Sequence, residues 1–300
     1  MSRPGTAGAG RRRSSRASDA GGASPSLGAL VQALEELYPL HRAEDWDRVG
    51  LVLGVAGEKV SRVLLAVDPT VAVAQEAAAH DLLITHHPLM LRGASLLPAD
   101  TGKGAVVTTL LRSGTALWSG HTNVDRSATG TAVALAAALS LTDLEPLVAP
   151  AGPEDGLIGL GLLGTLAEPT TVAELARTLA GALPETVQGA RFTGDADRTV
   201  RTVALCPGAG DSLLERVRST SADVYVTSDL RHHTALEHLE AGADPAGVPA
   251  LIDVPHWAAE SLWLPMLREE LLRIAAERGW ALQVEISARR TDPWTGAVTG

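Results

Sequence analysis

Asp81-Leu-Leu-Ile-Thr-His-His-Pro88 is an apolar run of strand type that ends in two adjacent histidines and a proline. A short run this apolar, bounded by polar residues, reads as a strand buried on both faces, the kind found in parallel sheets covered by helices. Neighbouring side chains on a strand point to opposite faces, so one continuous strand cannot aim both imidazoles at one atom. Past the strand's end Pro88 stops its continuation and the chain turns. There both rings can reach one cavity, or two metal ions a short distance apart.

The same rhythm extends outward. Val63-Leu-Leu-Ala-Val67 is a second buried strand, joined to the first by a helix from Val71 to His80. A helix from Ala105 to Ser113 and a strand from Ala116 to Ser119 follow, then an Ala-rich helix from Gly130 to Leu141. Upstream, Leu27 to Tyr38 is an amphipathic helix ended by Pro39, and Trp46-Asp-Arg-Val-Gly-Leu51 is expected as an ordered loop. Beyond the Gly/Pro-rich stretch Pro146 to Leu163, a helix spans Thr171 to Leu183. Strands then alternate with helices again: Val200 to Cys206, Val224 to Thr227, Ala250 to Val254 and Leu282 to Ala288, with helices Asp211 to Arg218, His232 to Ala241 and Ala258 to Arg278.

The two halves echo each other. Val63-Leu-Leu-Ala-Val-Asp68 parallels Thr202-Val-Ala-Leu-Cys-Pro207, and Asp81 to Thr85 parallels Asp223-Val-Tyr-Val-Thr227. Thr115-Ala-Leu-Trp-Ser-Gly-His121 parallels Pro249-Ala-Leu-Ile-Asp-Val-Pro-His256. The fold class is therefore α/β: two related α/β units with mixed, mostly parallel sheets and a site between them at the strand C-terminal ends, where open α/β sheets bind ligands. The expected division is a disordered Arg/Gly/Ser-rich tail over 1–25, a first unit over 26–145, a connection over 146–165 and a second unit over 166–300.

With 45% hydrophobic and only 3% aromatic residues, the cores are expected to be built of Leu, Val, Ala and Ile. The single Cys206 excludes an internal disulfide framework and any multi-cysteine metal cluster, which fits a reducing cytoplasm. No apolar run approaches the roughly 20 residues of a membrane span. The tail carries five arginines and Asp19, so the formal charge of −10 leaves the rest of the chain near −14. So acidic a body is a poor non-specific nucleic-acid binder, and no nucleic-acid partner is expected.

Four strand ends supply polar residues. The first gives His86 and His87, the second His121-Thr-Asn-Val-Asp125, the third Thr227-Ser-Asp229 with His232 and His233, and the fourth His256-Trp-Ala-Ala-Glu260. His256 and Glu260 share one face of a helix that has begun by His256. Each alone has an ordinary reading, as a turn, a cap or a helix-start pair, and His41, His80 and His238 are assigned to the surface. Together they form the imidazole and carboxylate set that suits Zn, Fe, Mn, Co or Ni. Two ions roughly 3.5–4 Å apart need a bridging carboxylate and separate terminal ligands. Glu260 would bridge, with His86 and His256 on one ion and His87 and Asp125 on the other. His121 is expected in an acid/base role or supporting a ligand.

Asp81-Leu-Leu-Ile-Thr-His-His-Pro-Leu89, His121-Thr-Asn-Val-Asp125 and His256-Trp-Ala-Ala-Glu260 resemble the three metal motifs of the GTP cyclohydrolase I type 2 homologues, or Nif-three-like proteins. Trp46-Asp-Arg-Val-Gly-Leu-Val-Leu-Gly54 and Asp292-Pro-Trp294 extend the resemblance over about 26 to 294, in the short form that lacks a middle domain. The resemblance implies His86, His87, Asp125, His256 and Glu260 as ligands of two divalent ions, with Glu260 shared. It also implies a toroidal homohexamer whose metal sites face an internal cavity, and a hydrolase of GTP cyclohydrolase kind acting on a nucleotide or other phosphorylated small molecule. A non-catalytic metal-binding assembly or partner adaptor is the alternative. Three positions depart from the family pattern: Thr129-Gly-Thr-Ala-Val133 replaces Gly-Gly-x-Asn-Asp, Asp229 replaces a Glu, and Pro255 replaces a Gly before the histidine.

Overall fold

The computed structural model describes residues 22–298, apart from 151, 153–155 and 243–246. The tail expected over 1–25 lies, through residue 21, outside the described residues.

Ser26 caps the first helix, α1 (Leu27–Leu37), its hydroxyl accepting from the Ala29 N–H. Then come β1 (Gly50–Leu53), β2 (Arg62–Ala66), α2 (Val71–Ala77), β3 (Leu82–Thr85), α3 (Gly102–Ser113) and β4 (Ala116–Ser119). Two helices, α4 (Thr122–Asp125) and α5 (Thr131–Ala138), lead to a long hairpin of β5 (Thr142–Val148) and β6 (Leu160–Thr171). After α6 (Val172–Ala182) and the short β7 (Arg191–Phe192), the alternation resumes with β8 (Thr199–Ala209), α7 (Leu214–Arg218), β9 (Val224–Ser228), α8 (His232–Leu239) and β10 (Ala250–Asp253). The chain closes with α9 (His256–Ser261), α10 (Trp263–Arg278) and β11 (Gln283–Ile286).

Two mixed sheets result, one ordered β1-β4-β3-β2-β11 and the other β5-β6-β8-β9-β10-β7. Each has a parallel centre; the first sheet has one antiparallel edge, β1, and the second has antiparallel strands at both ends. The registers of the two centres match. Val63 pairs with Leu82 and Leu82 with Ala116; likewise Val203 pairs with Val224 and Val224 with Ala250. An aspartate performs the same local task in both. Asp81 accepts from the N–H groups of Ser61 and Arg62, and Asp223 from those of Arg201 and Thr202. Each thus ties the start of one central strand to the next.

Alternate residues of β2 and β3 enter different cores, as a doubly covered sheet requires. Val63, Leu65, Leu82 and Ile84 pack with α1 and α10, whereas Leu64 and Leu83 pack with α2 and α3. The second sheet repeats this: Val203, Leu205, Val224 and Val226 face α5, α6 and α9, while Ala204, Cys206 and Tyr225 face the α7 side.

Some expectations differ from the structure. The loop expected over Trp46–Leu51 carries the start of β1, an edge strand antiparallel to β4. Gly50 and Gly54, at φ 101° and 136°, bound it and mask it as loop. The Gly/Pro-rich stretch from Pro146 to Leu163 holds the end of β5 and the start of β6. Pro146 is accommodated because β5 is an edge strand, where a missing N–H costs no ladder bond. The last strand, β11, returns to pair in parallel with β2. His80 and His238, assigned to the surface, are buried. Each closes the end of a helix against the sheet, and His238 Nε2 donates to the Pro249 carbonyl at 2.9 Å.

Candidate metal centre

The strand C-termini of both sheets converge on one cluster. β3 ends at Thr85, whose hydroxyl donates to the His87 carbonyl at 2.9 Å and turns the chain so that His86 and His87 face the same space. Their ring centroids are 5.2 Å apart, and His121, at the head of α4, stands 5.3 Å and 5.6 Å from them. His256 opens α9 and comes within 5.1 Å of His87. Glu260, one helical turn on, projects from the same face, as the i, i+4 spacing requires.

Every imidazole is oriented by a fixed acceptor at Nδ1. His86 Nδ1 meets the Gly120 carbonyl at 2.9 Å, His87 Nδ1 meets Asp68 at 2.6 Å, and His256 Nδ1 meets Asp229 at 2.7 Å. His121 Nδ1 lies 3.0 Å from both oxygens of Asp47. Carbonyls and carboxylates only accept, so each Nδ1 carries a proton, and it is Nε2 that would offer a lone pair to a bound cation. That arrangement orients metal-binding histidines and raises their basicity.

Glu260, only 2% exposed, sits where the Nε2 atoms of His86, His87 and His256 meet. One oxygen lies 3.4 Å from His86 Nε2 and 2.9 Å from His256 Nε2; the other lies 3.0 Å from His87 Nε2. Asp125 approaches His86 Nε2 at 3.6 Å and accepts from the Thr131 hydroxyl. His87 stands with His256, their Nε2 atoms 3.2 Å apart, and His86 stands with Asp125.

The electrostatics favour positive charge at this point. Burial lowers the proton affinity of His86, His87 and His256, but Glu260 outweighs it, so all three are raised, His256 to about 10. Burial pushes Glu260 up, yet the three imidazoles hold it well below the usual carboxylate range. His86 Nε2 and the Glu260 oxygen that faces His87 are buried without a well-directed hydrogen bond. Buried polar atoms are seldom left so, and a cation between them satisfies both. The donor set fits a metal on this ground. His87, His256 and Glu260 form one group with ligand atoms within 4.8 Å of one another, and His86, His87 and His121 form another.

Three supporting residues escaped the sequence reading: Asp47, Asp68 and Gly120. Asp47 lies within Trp46–Gly54, Asp68 ends Val63–Asp68 and Gly120 precedes His121, but nothing in their spacing ties them to a particular histidine. Among the departures, Thr131 supports Asp125 and Asp229 holds His256. Asp229 adopts φ 57°, a left-handed conformation that Asp tolerates better than most residues. His232 and His233 are exposed and stand apart from the cluster.

β8 runs on past the centre as Cys206-Pro-Gly-Ala-Gly210 and roofs it. Gly208 has φ +81°, and a Cβ there would lie 2.8 Å from the Glu260 oxygen that touches His86 and His256. Gly208→Ala is expected to cost about 1–2 kcal/mol of folding stability through its left-handed backbone. By displacing Glu260 it is also expected to weaken metal binding about tenfold, the scale of lost ligand support. Urea denaturation and metal titration read the two effects separately.

An α/β protein with helices on both faces of two sheets, joined by an imidazole and carboxylate cluster at their strand ends, is a candidate metalloprotein. The profile of the DUF34/NIF3 (NGG1p interacting factor 3) family matches residues 25–293, and the chain belongs to that family. A Streptomyces coelicolor protein named GTP cyclohydrolase 1 type 2 homolog is 45% identical over 276 residues, covering 91% of this chain and 95% of that protein. A Mycobacterium leprae protein of the same name is 32% identical over 375 aligned positions, covering 90% and 95%. That alignment is longer than this chain, so the mycobacterial relative carries additional sequence. A Staphylococcus aureus hypothetical protein of known structure superposes with TM-score 0.82 at 26% identity, covering 91% of this chain and all of that one. A Bacillus cereus protein related to NIF3 also gives TM-score 0.82 at 22% identity, covering 91% and 99%. Among the described residues no helix is long and apolar enough to cross a membrane.

Proposed function

We propose that this protein is a metal-dependent hydrolase of GTP cyclohydrolase I type 2 kind, acting on a nucleotide or other phosphorylated small molecule. Its centre would hold two divalent ions of Zn, Fe, Mn, Co or Ni through His86, His87, Asp125, His256 and Glu260. The observation that carries this reading is the shared geometry of the imidazoles. Four Nδ1 atoms are fixed by acceptors, and three Nε2 atoms converge on one buried carboxylate.

When bound, two such ions supply Lewis-acid charge and a nucleophilic water near neutral pH. The remaining work falls to the chain itself. His86, His87 and His256 hold their rings in one protonation state through Gly120, Asp68 and Asp229. Glu260 spans the two halves of the cluster, and His121, braced by Asp47, is positioned to take up or return a proton at Nε2. A cavity of about 410 Å³, lined by His121, Asp125, His256 and Glu260, gives a small substrate access. In the same reading the chain is a cytoplasmic homo-oligomer of the toroidal, hexameric kind, with no nucleic-acid partner.

The test is a screen of GTP, other nucleotides and phosphoesters against protein loaded with each metal, with Glu260→Ala as control. Turnover by the loaded protein that disappears in Glu260→Ala is the expected result. Turnover that survives in the variant, or none with any metal, overturns the hydrolase reading. Metal removal should also register without any substrate. At free metal about one hundred times Kd, one site adds about 2.7 kcal/mol to stability. With roughly 2–4 °C of Tm per kcal/mol in large domains, chelation is expected to lower Tm by about 5–10 °C in scanning calorimetry.

A further inference from the structure

We propose that the larger cavity beside the metal centre receives a planar heteroaromatic ring stacked on Trp46, in a ligand bearing no more than one anionic group. Trp46 lines this cavity and keeps 56% of its surface exposed. So large an aromatic face is costly to leave in water and is the usual platform for a flat ring. Its position is fixed on one side, because the neighbouring Asp47 is buried and tied to His121, Thr122 and the Arg48 N–H. The indole stands edge-on to His121, with centroids 5.9 Å apart and planes at 77°. A ring lying on Trp46 is thereby carried to the floor where Asp125, His256 and Glu260 open into the same space. Leu160, Pro207, Ala209 and Leu213 add apolar wall, and the positive φ of Gly208 lets the roof pass without a side chain.

Charge sets the second half of the proposal. Among the described residues no Lys or Arg lines this cavity, whereas Glu44, Asp125 and Glu260 do. Two guanidinium groups of the surroundings already hold carboxylates: Arg126 pairs with Glu44, and Arg231 with Asp211. A smaller cavity of about 220 Å³ reaches His87 and His256 from another side. It is lined by Asp68, Asp229 and Asp292, again with no Lys or Arg among the described residues. A third cavity, of about 350 Å³, is lined by Lys103, but it touches His87 and none of Trp46, His121, Asp125, His256 and Glu260. Polyphosphates are ordinarily held by Arg or Lys or by the N-terminus of a helix entered through a glycine loop. The inference rests on the two-ion reading in one respect only. Two divalent ions set against Asp125 and Glu260 leave charge enough for a single anionic group, but not for a triphosphate.

Calorimetric titration of the zinc-reconstituted full chain with guanosine, GMP, GTP and ribose 5-phosphate tests this. Guanosine and GMP are expected to bind, GTP no more tightly than GMP, and ribose 5-phosphate at least about tenfold more weakly than GMP. Trp46→Ala is expected to weaken guanosine and GMP about tenfold, the scale of a lost base–aromatic stack, while Trp46→Phe stays within about threefold. Metal content measured on each variant keeps loss of the ions from passing as loss of the ring site. GTP bound more than tenfold tighter than GMP overturns the proposal, as does indifference to Trp46→Ala or no binding by either ring compound at millimolar concentration. Trp46-dependent binding without turnover would instead count against the hydrolase reading and leave this one standing.

Discussion

If the proposed centre holds two ions, replacing Glu260 by Gln is expected to lower occupancy to one or none and to raise the Kd of any remaining ion by more than about 100-fold. The reason is topological. Glu260 is the only carboxylate among the described residues that touches all three clustered imidazoles: one oxygen faces His86 and His256, the other His87. Gln keeps the volume of the side chain but loses the charge, and its NH2 group turns a donor toward lone pairs that need a cation. Asp125 alone then opposes the charge of both ions in a buried place, where an unbalanced charge costs several kcal/mol. Loss of a supporting residue costs 10–100-fold in affinity, so loss of the shared ligand should cost more. Elemental analysis after reconstitution and competitive titration with a chromophoric chelator measure the two quantities. Circular dichroism is expected to show an unchanged fold, because without metal the three imidazoles can shed protons and become neutral. Two ions retained at unchanged affinity would remove Glu260 from the centre.

The central strands were legible because both faces of the parallel sheet centres are buried, which leaves uninterrupted apolar runs. β3 and β4 occupy the residues expected, Leu82–Thr85 and Ala116–Ser119. The edges were not, because an edge strand is free to carry the residues that signal loops. Gly50 opens β1 and Gly54 follows it, Pro146 sits in β5, and β5 and β6 border the stretch richest in Gly and Pro. The site divides in a similar way. His86, His87, Asp125, His256 and Glu260 could be named from residue type and place at strand ends, and the structure gathers all five. Which of their rings stand closest could not, since that depends on where two sheets meet. It is His87, from the first sheet, that meets His256, from the second, at 3.2 Å. Asp47 was beyond reach for the same reason: it lies 74 residues from the histidine it holds.

Asp47→Asn is expected to lower kcat by about 10²–10⁴-fold, the range for a lost or misdirected general acid or base, while leaving metal content unchanged. Asp47 has a fully buried side chain, and its two oxygens accept from His121 Nδ1, the Thr122 N–H and hydroxyl, and the Arg48 N–H. Burial pushes this carboxyl up, but the bonds from His121 and Thr122 outweigh it and hold it well below its ordinary value. It therefore stays ionised across the working pH range and keeps the His121 proton on Nδ1, with Nε2 free to accept. Asn fills the same space but can donate. The Thr122 hydroxyl and N–H claim its carbonyl oxygen, which turns the NH2 group toward His121 Nδ1. The NH2 group then competes with the Asn oxygen, also 3.0 Å from Nδ1, and favours the tautomer in which Nδ1 accepts and the proton sits on Nε2, the wrong one for the centre. Nitrogen-15 NMR of the imidazoles reads the tautomer without reference to any substrate, and kcat on whichever substrate the screen identifies reads its consequence. An unchanged tautomer and unchanged kcat would reduce Asp47 to a structural tie between α4 and the loop before β1. Loss of metal in the variant would instead make His121, whose ring nitrogen lies within 4.8 Å of those of His86 and His87, a ligand rather than a proton carrier.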